Sequence, residues 1–170
     1  MSVCGSGHAY RGRDVRPPRS RHLLRIVGDM NTDNPADTQD IRPLTDEEQG
    51  WIDQNWQIAS EQGMTKDTDS LTLGYQAARG KWELAPADDR PRAEHSVVGL
   101  GALIGQYICN FTDFEWGVRG EGSSAQWVLT NPDGEIIEPM QRMAELWSGS
   151  MKKTVGGYVD EVLEKYSGER

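Results

Sequence analysis

The sequence predicts an α+β fold in which helices flank a short antiparallel three-stranded meander. The stretch from Val97 to Phe111 is apolar or glycine at nearly every position, which is typical of a central core helix buried on all sides. Residues 114–119 and 125–130 instead alternate apolar and polar side chains, as half-buried strands do. No helical segment separates these two strands, so we expect them to pair as antiparallel neighbours.

The first 29 residues differ in composition from the rest of the chain. They hold six basic and two acidic residues, a net charge of +4, whereas residues 30–170 hold 12 basic and 25 acidic residues, a net charge of −13. This basic segment is rich in Gly, Pro and Ser and has no regular periodicity, which predicts a disordered tail. Because the composition changes at Met30, an open alternative is that translation starts there and not at Met1.

The remaining chain is long enough for one domain with a single core. Residues 30–43 are predicted to be a polar lead-in, and residues 44–167 a single α+β domain. Cys4 and Cys109 are the two cysteines, which is too few for a disulfide framework and fits a reducing cytoplasm. No apolar run near the N-terminus is long enough for a secretory signal.

Two amphipathic helices are predicted before the core helix. Thr45 is followed three residues later by Glu48, which is the pattern of a capping box, so we expect the first helix to begin there and to end at Gly63. Gly74 and Gly80 disfavour the second helix, because glycine in a helix interior costs about 1 kcal/mol relative to Ala. The second helix nevertheless has a clear apolar stripe, formed by Leu71, Tyr75, Ala78 and Trp82.

Turn signals set the register of the predicted meander. Residues 120–123 form a hairpin loop. Residues 131–134, Asn-Pro-Asp-Gly, suit a type I turn closed by a glycine bulge, which would place Leu129 opposite Ile137. Pro139 can occupy the first position of a helix, and a further amphipathic helix follows it at the C-terminus.

Part of the domain resembles a known family. The core-helix run GLGALIGQYI, the strand FEWGV, the turn NPDG and the segment EIIEPMQRMAELW are similar to the pattern of domain of unknown function 3806, an uncharacterised bacterial family. The resemblance covers about residues 95–150. It implies the same fold and a bacterial cytoplasmic setting, and it transfers no activity and no functional residue.

The glycines of the core helix match a variant of the dinucleotide-binding fingerprint, at Gly99, Gly101 and Gly105. That fingerprint requires a preceding strand and a βαβ unit, which the predicted elements do not provide. Small residues at these positions more simply allow a neighbouring helix or strand to approach closely. We therefore predict no dinucleotide site here.

No catalytic group, metal site or cofactor is predicted from the remaining residues. His95 and Cys109 are the one plausible nucleophile pair of the domain, but 14 residues along one helix separate them by about 21 Å. The carboxylates of the predicted loops are scattered along the chain and do not single out a catalytic pair.

One set of polar residues is a candidate binding site. Strand alternation places Glu115, Arg119, Gln126 and Glu138 on the outward side of the sheet. This set is either a polar binding surface or a solvated sheet face.

Charge favours one class of function over others. The strongly acidic domain would repel phosphate backbones and anionic lipids, which argues against nucleic acid or a membrane as its partner. We therefore expect a small protein-interaction module without catalysis that binds a basic protein. The alternative is a small-ligand-binding protein or a carboxylate-based hydrolase. The sequence does not predict the oligomeric state.

Overall fold

A computed structural model of the protein describes residues 41–167, so the predicted basic tail and most of the polar lead-in lie outside the described residues. The described part contains five α-helices and one four-stranded sheet, which confirms the α+β class. In chain order the elements are β1 (Ile41–Pro43), α1 (Asp46–Glu61), α2 (Thr68–Leu84), α3 (Ala93–Phe111), β2 (Glu115–Arg119), β3 (Gln126–Thr130), β4 (Ile136–Ile137), α4 (Pro139–Ser148) and α5 (Val155–Tyr166).

The sheet is antiparallel throughout, with its strands in the order β1-β2-β3-β4. The predicted meander corresponds to β2, β3 and β4, and Leu129 does lie opposite Ile137. The prediction of three strands is wrong, because β1 adds a fourth from residues that were expected to belong to the polar lead-in. Its three residues are too few to show alternation, and the strand exists through its pairing with β2. Pro43 is tolerated there because β1 is an edge strand.

Local signals fix both ends of α1. The side chain of Thr45 accepts a hydrogen bond from the backbone N–H of Glu48, and the Glu48 carboxylate accepts one from the backbone N–H of Thr45 at 2.8 Å. This reciprocal arrangement is the predicted capping box. The helix ends before Gly63, whose φ of 73° is readily adopted by glycine.

Helix α3 is the centre of the core, but it is not apolar on every side. Gln106 and Asn110 form a polar edge, and the Gln106 side-chain amide donates to Asn110 Oδ1 at 2.9 Å. The indole N–H of Trp116 donates to Gln106 Oε1 at 3.1 Å, so this edge also binds the first long strand of the sheet. The prediction of an all-apolar core helix is therefore corrected at this edge. Its two polar side chains are hydrogen-bonded to each other, and Gln106 also accepts a hydrogen bond from the strand residue Trp116.

The helices pack on one face of the sheet, which we call the inner face. The helices form two apolar clusters with the sheet. The sheet side chains in these clusters all lie on the inner face, and they are Trp116, Val118, Trp127, Leu129 and Ile137. Trp127 packs edge-on against Trp51 of α1 with 5.4 Å between ring centroids. Both strand tryptophans thus lie between the sheet and the helices.

The glycines of α3 serve close packing, as the sequence indicated. A Cβ atom added to Gly101 would lie 2.9 Å from the Cα atom of Met140 in α4. One added to Gly105 would lie 2.4 Å from the ring of Trp116. Neither position leaves room for a side chain, so these glycines bring α4 and β2 into direct contact with α3.

Candidate functional site

The sheet face opposite the helices, which we call the outer face, contains all four residues of the predicted binding set. Its side chains form three rows across the strands. The first row is Glu115, Thr130 and Ile136; the second is Pro43, Gly117, Val128 and Glu138; the third is Ile41, Arg119 and Gln126. Neighbouring rows are two residues apart along each strand, a distance of about 6.5–7 Å.

Three of the four predicted residues are in contact with one another. The guanidinium of Arg119 donates to Gln126 Oε1 at 2.9 Å and forms an ion pair with the Glu138 carboxylate. The side chains of Arg119 and Glu138 are each 26% exposed. This network joins β2, β3 and the residue after β4 across the outer face. The charges of Arg119 and Glu138 cancel, so the network offers a partner hydrogen-bonding groups but little net charge.

Glu115 is separate from this network. It lies four residues before Arg119 along β2, which corresponds to about 13 Å, and its side chain is exposed. Its row also contains Ile136, which is 37% exposed. The accessible part of this row therefore combines one carboxylate with one apolar side chain.

The outer face also contains apolar side chains, of which the sequence alternation indicated Val128 but not Ile41 or Ile136. Ile41 of β1 leans over Gly117, where its Cγ2 atom would lie 2.4 Å from an added Cβ atom. Val128 is completely buried, yet it belongs to neither of the clusters formed with the helices. Strand alternation could also have placed Ile136 on this face, since it directly precedes the inward residue Ile137. The contribution of Ile41 depends on β1 and had no local signal.

The predicted separation of His95 and Cys109 is confirmed. Both lie on α3, which spans Ala93–Phe111 as one helix, with His95 exposed in its first turn. Burial raises the pKa of the Cys109 thiol to about 12, so the thiol is protonated at neutral pH. These two residues cannot form a nucleophile–base pair.

Two carboxylates of the described residues, those of Glu48 and Asp67, stabilise helix N-termini. Glu48 accepts two hydrogen bonds of 2.9 Å from the guanidinium of Arg42, which together with the Thr45 backbone N–H lowers the pKa of its carboxyl group to about 2. Asp67 caps the N-terminus of α2 through the backbone N–H of Ser70 at 2.7 Å, and this hydrogen bonding lowers its pKa. Within residues 41–167, no group of three or more His, Cys, Asp and Glu side chains is arranged to hold a metal ion.

Comparisons with models of protein families, with curated proteins and with solved structures gave no match for this chain. The resemblance to domain of unknown function 3806 therefore stays a prediction. Among the helices that the structure describes, none has both the length and the apolar character required to cross a bilayer.

Proposed function

We propose that the domain is a protein-interaction module without catalysis, and that it binds a basic protein through the outer face of its sheet. The observation that carries this proposal is the one-sided packing of the domain. The helical clusters use the inner face alone, and the accessible part of the outer face combines the apolar side chains of Ile41 and Ile136 with a hydrogen-bonded polar network, whereas Val128 is completely buried. Such a mixture of apolar and paired polar groups is characteristic of protein interfaces.

Charge supports a basic partner. Residues 41–167 contain 21 acidic and 11 basic residues, a net charge of −10. A field of this sign accelerates the encounter with a cationic surface and disfavours anionic partners. On the outer face, the exposed carboxylate of Glu115 is free of the Arg119 network and can face a basic group of the partner.

The experiment uses the row that contains Glu115 and Ile136. The double variant Glu115→Lys/Ile136→Lys places two positive charges on the accessible part of the outer face. Glu138 is left intact, because replacing it with Lys would put two cations side by side and perturb the fold. The control is Gln57→Lys/Glu164→Lys, which changes the net charge by the same amount at exposed positions of α1 and α5.

Partners captured from a bacterial lysate by the unmodified chain are purified, and their association with each variant is measured at two salt concentrations. We expect the outer-face variant to slow association at least about tenfold, while the control changes it less. An equal effect of both variants would show that only overall charge matters, and no effect of either would place the interface elsewhere. The alternative of a ligand-binding protein or hydrolase remains a prediction that these observations do not test.

A further inference from the structure

Residues 19–27, with the sequence RSRHLLRIV, combine basic and apolar side chains, and we call them the basic-apolar segment. The segment contains three arginines, four aliphatic residues and no acidic residue. Its aliphatic side chains are too few to form a core of their own. A folded surface that combines accessible apolar side chains with negative charge is therefore the kind of surface that binds such a segment.

The outer face of the sheet has this combination. Ile136 is 37% exposed, Ile41 is partly exposed, and the exposed carboxylate of Glu115 lies in the same row as Ile136. Residues 113–138, which contain β2, β3, β4 and their turns, have six acidic residues and one basic residue, a net charge of −5. The basic residue is Arg119, which already pairs with a carboxylate of this stretch. The sheet region is therefore acidic in its own right.

Charge separates this face from another exposed apolar surface of the domain. On helix α2, Leu73 is 65% exposed and Leu84 is 87% exposed. Residues 68–84, which form α2, contain two acidic and two basic residues, a net charge of zero. A cationic segment is therefore attracted more strongly to the sheet region than to α2.

The chain enters the sheet next to the outer face. Residues 28–40 lie between the basic-apolar segment and Ile41, whose side chain belongs to that face. The 14 steps from Val27 to Ile41 can span up to about 45 Å, whereas the four strands are together only about 14 Å wide. The segment can thus reach every row of the outer face. Attachment through a short linker corresponds to an effective concentration of the order of millimolar, so a weak contact is sufficient for binding.

We propose that, in a chain that retains residues 1–29, the basic-apolar segment binds the outer face of the sheet of its own chain. Its arginines face the carboxylates of the sheet region, and its aliphatic side chains cover Ile41 and Ile136. The segment thereby competes with the basic partner, because both present cationic groups to the same face. The competition rests on the proposed function, whereas the binding of the segment does not.

Thiol labelling tests the binding of the segment without any partner. The reporter is Thr130→Cys in a Cys4→Ser background, since Thr130 lies between Glu115 and Ile136 in one row and leaves both of them intact. The native thiol of Cys109 reacts slowly, because burial raises its pKa to about 12. The rate at which an uncharged reagent labels the reporter at low salt then measures access to the outer face.

Arg21→Glu/Arg25→Glu should release the segment and raise the labelling rate of the reporter at least about threefold. Loss of nearby positive charge alone would slow labelling by raising the thiol pKa, so a faster rate reports access. The control is Arg11→Glu/Arg13→Glu, which makes the same change of charge outside the segment and should leave the rate within about 1.5-fold. A second reporter, Leu73→Cys on α2, should be labelled at one rate in all these chains.

Three outcomes would overturn the proposal. The first is a reporter rate that Arg21→Glu/Arg25→Glu leaves unchanged or that the control raises equally. The second is release at the Leu73→Cys reporter in place of the Thr130→Cys reporter, which would put the segment on α2. The third is labelling that slows as the protein concentration rises from about 1 to 100 μM, which would mean that the segment of a second copy is bound.

Partner association tests the competition. A partner purified with the unmodified chain should associate at least about threefold faster with Arg21→Glu/Arg25→Glu than with Arg11→Glu/Arg13→Glu, since both variants have the same net charge. Release of the segment without faster association would overturn the competition. If no basic partner binds the outer face, the proposed function fails, and the labelling result still decides whether the segment binds there.

Discussion

The ring of Trp116 covers Gly105 so closely that a Cβ atom added to the glycine would lie 2.4 Å from it. This contact joins the core helix to the first long strand of the sheet, and the hydrogen bond from Trp116 to Gln106 lies beside it. Helix propensity alone would favour Ala at position 105. The glycine is required because the neighbouring atoms belong to a large, rigid ring.

We expect Gly105→Ala to lower the free energy of unfolding by about 1–3 kcal/mol, since the ring and the helix must move apart. Gly99→Ala is the control on the same helix, because its added Cβ atom would be 3.8 Å from Asn55 Oδ1, an ordinary contact. Urea denaturation of both variants measures the difference. Equal effects at the two positions would contradict the packing described for Trp116.

The ion pair between Arg42 and Glu48 should make the free energy of unfolding of the domain fall at acidic pH. The pKa of the Glu48 carboxyl group falls from 4.5 to about 2 in the folded state, chiefly through its hydrogen bonds to Arg42. A carboxyl group with a lowered folded pKa stabilises the protein above about pH 4.5, and this contribution is lost as the pH falls towards 2. Because Arg42 is 46% exposed, solvent screening limits the contribution to about 1 kcal/mol or less.

Glu48→Gln removes the charge but keeps an acceptor for the capping box. We expect its unfolding free energy to vary less with pH between 5 and 2 than that of the unmodified chain. Glu47→Gln, in the same helical turn, is the control and should keep more of this dependence. Identical pH curves for the Glu48→Gln variant and the unmodified chain would show that the ion pair does not form in solution.

The Arg119–Glu138 pair should be coupled energetically. Both side chains are only 26% exposed, so their interaction is screened less than that of a fully exposed pair. A double-mutant cycle with Arg119→Met and Glu138→Gln should give a coupling energy of about 0.5–1.5 kcal/mol in chemical denaturation. A coupling energy near zero would mean that the outer-face network is open in solution, with both charges available to a partner.

Gly80 and Gly50 should respond alike to substitution. Each lies inside a helix, and a Cβ atom added to either would meet nothing within 4 Å. Replacement by Ala should therefore raise the free energy of unfolding by about 0.5–1 kcal/mol at low protein concentration, because it reduces the freedom of the unfolded chain. Gly156→Ala should instead destabilise the domain, since its Cβ atom would lie 2.6 Å from the Thr68 carbonyl oxygen.

The Cys109 thiol should react slowly with thiol reagents in the native protein. Burial raises its pKa to about 12, and the thiolate is the reactive form. In a Cys4→Ser background, we expect labelling at pH 8 to be at least about a hundredfold slower than in the urea-unfolded chain. Comparable rates in the two states would mean that this part of α3 opens readily.

Both ends of α1, the start of α4 and the register of the meander were determined by short-range signals in the sequence. Thr45 and Glu48 start α1 because their side chains satisfy backbone groups three residues away, and the turn ending at Gly134 aligns β3 with β4. In that turn the Gly134 N–H donates to the Asn131 carbonyl at 3.0 Å, and Gly134 has a φ of 81°. Such signals involve neighbours in the chain, so they can be recognised without the fold.

The candidate site depended more on the tertiary structure. Alternation along β2 and β3 was sufficient to place Glu115, Arg119 and Gln126 on one face. Alternation could not show that Arg119 pairs with Glu138 while Glu115 lies apart from both. Arg119 is on β2 and Glu138 follows β4, so their contact depends on how the side chains extend across β3. β1 was also decided by the fold, since three residues form a strand only when a partner strand supplies their hydrogen bonds.

Helix α2 gives a second example, because it has apolar residues on two opposite sides and one of these sides leaves Leu73 65% exposed and Leu84 87% exposed. The sequence identified the stripe that packs into the core, and Leu73 and Leu84 fit the same helical period half a turn away. Periodicity cannot decide which of two apolar sides is buried, because both have the same spacing. Only the packing of α2 against α3 and α5 buries one stripe and leaves the other accessible, since a helix at the edge of a single core contacts it along one side.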